Sequence, residues 1–109
     1  MGGRQSKRAA GVALRDRLVD WLGRTRRAET DELVPGVIAR TARLGDYLVI
    51  HEAGYRAHGV LIVASAVTGD IAFLAEWAPD EESSPIIAPE VMTALGRDLD
   101  GVTANATVH

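Results

Sequence analysis

The sequence predicts an α+β domain: one N-terminal helix, a four-stranded antiparallel meander, and one C-terminal helix packed with the first. Three observations carry this expectation. Apolar residues recur at three- and four-residue spacing between Arg8 and Leu22, and again after Pro89. Between them, short extended runs rich in Val, Ile and Leu alternate with glycine-bearing turns.

The first helix is expected from Arg8 to about Leu22, with Ala10, Leu14, Leu18, Trp21 and Leu22 on its inner stripe. Ser6 stands where an N-cap belongs and Gly23 where the helix stops. Residues 24–35, with Thr30-Asp31-Glu32 and Pro35, read as a polar connection holding at most one helical turn. Strands are expected near 37–43, 46–52, 59–67 and 71–77. Gly69-Asp70 separates two apolar runs, which makes the third and fourth strands a hairpin. Pro79 ends the ladder, because proline has no N–H to donate. Residues 79–85 form an acidic loop. Pro89 suits the first turn of the second helix, Glu90 suits its dipole, Val91, Leu95 and Leu99 form its stripe, and Gly101 ends it. The expected organisation is thus a basic arm over 1–7, a single domain over 8–101 and a tail over 102–109.

Composition narrows the function. A chain of 109 residues with 47% apolar residues holds one core. Cysteine is absent, which removes disulfides and thiolate chemistry and suits a reducing cytoplasm. Arg15, Arg17, Asp16 and Asp20 interrupt any export signal that Met1–Arg8 would open, and Gly59–Val67 is too short to span a bilayer. The phosphate-loop, nucleophile-elbow, dinucleotide and zinc-helix motifs are missing, so no catalytic residue and no cofactor is expected. His51, Glu52, His58 and Glu76 match no metal-ligand spacing, and Asp80-Glu81-Glu82 reads as a solvated run, so no metal site is expected either.

The charges are split along the chain. Residues 1–43 hold ten Lys/Arg against five Asp/Glu, whereas residues 44–109 hold two against ten. The basic arm and helix therefore form the first candidate site, an anion- or partner-binding set of Arg4, Lys7, Arg8, Arg15, Arg17 and Arg24. On a helical wheel Arg8 and Arg15 border the apolar stripe on one side, Arg17 and Arg24 on the other. A second candidate is the loop before the third strand, where Tyr55, Arg56 and His58 lie between glycines as a recognition loop.

The third candidate comes from the strand faces. In Gly59–Val67 both alternating sets are apolar, so both faces of that strand need cover. Either one helix packs on each face, or both pack on one and a partner subunit covers the other. On the second reading Ile62, Phe73 and Trp77 are the interface.

These features together point to a non-enzymatic assembly or adaptor subunit, a homo-oligomer or part of a larger protein assembly, in the cytoplasm or in a virion. Its basic first helix and acidic 76–82 segment would meet head to tail between copies. In architecture alone, residues 8–100 resemble the small helix–sheet–helix subunits of phage tail-terminator and head–tail joining rings; the Arg-rich, Lys-poor usage suits a bacterial or phage gene. The alternatives are a small regulator that binds nucleic acid through its arm and a peripheral membrane protein that docks through the first helix.

Overall fold

A computed structural model describes residues 3–54, 59–78, 81–82 and 87–108, with side chains placed for 10–54, 59–76 and 87–102. Helix α1 spans Gly3–Arg24, followed by strands β1 (Glu29–Val34), β2 (Val37–Leu44), β3 (Tyr47–Ala53), β4 (Gly59–Ser65) and β5 (Ile71–Ala78). A two-residue β6 (Glu81–Glu82) and helix α2 (Pro89–Val108) complete the chain. All neighbouring strands pair antiparallel in the order β1-β2-β3-β4-β5-β6. The α+β class holds, and the meander is longer than four strands at both ends.

The added strand β1 corrects the reading of 24–35 as a connection. Every residue of β1 is exposed, so it has no buried alternation to betray it. It is held by backbone pairing to β2, with Glu29 opposite Thr41 and Val34 opposite Val37. The local signal was the turn between them. Pro35 and Gly36 join Val34 to Val37, and Gly36 takes φ 85°, a conformation that glycine adopts without strain.

The other turns follow the sequence closely. Gly45 turns β2 into β3 at φ 59°, and Asp98 of α2 sits where a Cβ on Gly45 would go. The β4–β5 hairpin closes over residues 66–70, with Gly69 at φ 83°. There the Ser65 hydroxyl accepts the N–H groups of Val67 and Thr68, which ends β4 at Ser65 rather than at Val67.

Both helices outrun their expected limits. Helix α1 takes in residues 3–7, which sequence reasoning assigns to an arm, and α2 continues through Gly101 into the assigned tail. A formed helix adds each further residue at little cost, so a single glycine is a weak stop. At the start of α2 the Ala88 carbonyl accepts the Val91 and Met92 N–H groups, so the expected start at Pro89 is observed.

One core joins the layers. Leu14, Leu18 and Leu22 of α1 and Leu95 and Leu99 of α2 pack with Ala42, Leu44, Val49, Leu61, Val63, Phe73 and Ala75 of the sheet. All seven sheet residues lie on one face by strand alternation and register. Both helices therefore cover the same side. The arrangement with one helix per face is excluded.

Candidate interaction surface

The register places a second, apolar face of the sheet away from the helices. Across its middle run Thr41, Ile50, Ile62 and Leu74, directly opposed on consecutive strands. One step toward the Gly45 turn lie Arg43, Leu48, Ala64 and Ile71; one step the other way lie Ala39, Glu52, Val60 and Glu76. None of these residues belongs to the core cluster. Ile71 is 63% exposed and Leu74 44%, while Leu48, Ile50, Val60 and Ile62 are half-buried by their own neighbours. Large contiguous apolar faces of this kind mark contact surfaces, whereas single exposed apolar residues need no explanation.

A β-bulge decides which residues reach this face. Val63 opposes Phe73 and Ala64 opposes Ile71, so Ala72 is the extra residue on β5. The bulge puts Ile71 with Leu74 on the open face and turns Phe73 into the core, where it is 6% exposed. Of the expected interface residues, Ile62 is on the open face and Phe73 is not. Trp77 pairs with Gly59 through the backbone, and its side chain lies outside the described residues.

Three of the six residues of the basic set are engaged within the chain. Arg15 is buried, against its expected place on the border of the stripe, and its Nε and Nη2 donate to the Asp16 carboxylate at 3.1 and 2.8 Å. Arg17 donates to Asp100 of α2 at 2.8 Å, and Arg24 pairs with Asp20 one turn earlier. That Asp20–Arg24 contact raises the Arg24 pKa, so it stays charged at any relevant pH. Basic α1 and acidic α2 thus meet within one chain, which satisfies part of the charge that a head-to-tail contact would use. The side chains of Arg4, Lys7 and Arg8 lie outside the described residues, as does the whole Tyr55, Arg56 and His58 loop.

Two further positions, outside the predicted site residues, shape the helix-covered face. Arg40, on the helix-covered face, donates from Nε to the Leu22 carbonyl at 3.1 Å and so caps the C-terminal end of α1. His51 stands opposite Arg40 in the ladder, and its pKa is lowered by burial first and by the Arg40 charge second. A histidine held neutral in the fold but free to protonate at 6.5 when unfolded makes stability fall with pH. The loss begins as pH drops through 6.5 and is complete below the folded value. Urea unfolding between pH 7.5 and 5 is expected to show it, with a shallower slope in His51→Gln.

A cleft of about 510 Å³ opens at the basic corner of the open face, lined by Arg27, Glu29, Thr41, Arg43 and Leu48. Among the described residues no group of three or more His, Asp or Glu could hold a metal ion, and no helix is long and apolar enough to cross a membrane. No family model, curated protein or solved structure matches the chain.

Proposed function

We propose that this protein is a non-enzymatic assembly subunit that associates with itself through the open face of its sheet. One observation carries the reading: among the described residues, an apolar face built from Leu48, Ile50, Val60, Ile62, Ala64, Ile71 and Leu74 has no layer over it, because both helices pack on the other side. An α+β domain with helices on one side of an antiparallel sheet commonly leaves the other side in water. Such a face is then lined with polar residues, and here its centre is aliphatic. Burial of that centre supplies affinity, and the charged margin supplies specificity.

The edges of the sheet favour the face over edge-to-edge contact. Strand β1 carries Glu29, Asp31 and Glu32 along its exposed edge, and like charges on an edge oppose pairing with a second copy of the same strand. Sedimentation velocity on the unmodified chain tests the proposal. A mass that grows with concentration across the micromolar range supports self-association. A single species at the monomer mass of 11.6 kDa up to the highest concentration overturns it.

A further inference from the structure

We infer that the occupant of the open face is a second copy related by a two-fold axis that runs across the strands, so that each strand faces its own counterpart reversed end for end. The inference rests on the self-association reading above and adds its geometry, which follows from how charge is laid out on the face. Arg43 stands at the end near the Gly45 turn, with Arg27 beside it at the margin of the cleft. The opposite end carries Asp31 on β1 and Glu52 on β3, one on each side of Ala39, and Glu76 on β5 beside Val60. Between these ends run Glu29 at the β1 margin and then Thr41, Ile50, Ile62 and Leu74. The face is therefore a dipole along the strand direction with an apolar middle.

Two face-to-face arrangements have two-fold symmetry, and charge separates them. An axis along the strands stacks the carboxylate end on the partner's carboxylate end and leaves Arg43 over a second Arg43 end. An axis across the strands stacks each end on its opposite. Arg43 then lies over the partner's Ala39, between the partner's Asp31 and the partner's Glu52, and Ile50, Ile62 and Leu74 each meet their own counterparts, with Glu29 meeting its own counterpart only at the exposed β1 margin. Like charges brought together in a dry contact oppose the first arrangement, and opposite charges at its margin favour the second. Closure is complete with two copies, because the same patch is used on both.

The size of the face sets the strength. Strands about 4.8 Å apart and same-face residues about 6.8 Å apart give four strands and three rows a plan area of roughly 400–500 Å² per copy. With side-chain relief this approaches the low end of the roughly 1,200–2,000 Å² total that specific complexes bury. A dimer of that size dissociates in the micromolar range and depends on its charged margin.

The test is a charge exchange on the full chain, read by sedimentation equilibrium at low salt. Arg43→Glu and Glu52→Arg are each expected to weaken the dimer by about tenfold or more. Together they exchange the two signs, and the double variant is expected to bind at least about tenfold tighter than the product of the two single losses predicts. Arg43 also holds the Gly45 carbonyl through Nε at 2.9 Å, so Arg43→Gln and Glu52→Gln are measured beside the reversals. Those neutral variants should fall between the unmodified chain and the reversals, and circular dichroism melts confirm that each variant is folded. Single variants with no effect, or a double variant no better than additive, overturn the arrangement. Should the chain still dimerise and a charge at Ile62 still break the dimer, self-association stands and only this geometry falls. A monomeric unmodified chain overturns both.

Discussion

Replacing Ile62 with aspartate is expected to give a folded monomer. Ile62 sits at the middle of β4, on the uncovered side, with Ile50 and Leu74 directly opposite on the flanking strands. In the free chain the new carboxylate points toward water, so the folding cost is limited to the poorer strand preference of aspartate, about 1 kcal/mol. In the assembled state the same carboxylate is taken out of water without a partner. That costs about 3 kcal/mol or more, enough to raise the dissociation constant over a hundredfold. The check is a light-scattering mass together with a melting curve. A monomer mass with near-unchanged melting fits the account, and an unchanged dimer contradicts it.

Phe73→Asp is expected to do the opposite and destroy the fold. Phe73 is directly opposite Val63, 6% exposed, and packed within the cluster that Leu18, Leu22 and Leu95 complete. Truncating a buried phenylalanine costs about 3–5 kcal/mol through lost contacts and the cavity left behind. A buried unpaired carboxylate adds to that. Against a total stability of about 5–15 kcal/mol for a small domain, the sum leaves little or no native state. Loss of a cooperative melt is the expected observation. A folded, monomeric Phe73→Asp would mean that this residue faces the interface after all.

The contrast between Ile62 and Phe73 also shows where sequence reasoning stops. Both residues lie in apolar strands with apolar neighbours on both alternating sets, so the need for cover on two faces was legible. Which β5 residues share a face with Ile62 was not, because it turns on the Ala72 bulge, and one extra residue reverses the face of every β5 residue beyond it. The helix stripes were legible because leucines at 14, 18, 22, 95 and 99 keep the 3.6-residue period. Pro89 and Gly69-Asp70 were legible because each allows few backbone conformations. Strand β1 was hidden by its wholly exposed, acidic sequence, and only the Pro35-Gly36 turn announced it. Arg15 was misplaced because a wheel drawn on one helix ignores what packs beside it, and here the core reaches past the leucine stripe.

The account also orders the two kinds of charge in this chain. The pairs Arg17–Asp100 and Asp20–Arg24 are exposed, and solvent screening leaves exposed pairs little weight in stability. Arg17–Asp100 links α1 to α2 and Asp20–Arg24 braces one turn of α1, and neither decides the fold. Arg43 and Glu52, by contrast, border an apolar face at opposite ends, and in the proposed dimer they meet across the contact. Salt is therefore expected to affect association more than folding.

The central claim is that the open face, and not the helices, makes the contact. Methyl-resolved NMR spectra recorded over a dilution series from millimolar to low micromolar test it directly. The methyl signals of Ile50, Ile62, Ile71 and Leu74 are expected to move with concentration, while those of Leu18, Leu22, Leu95 and Leu99 stay fixed. Spectra that do not change with dilution, or changes confined to residues of α1 and α2, would contradict it.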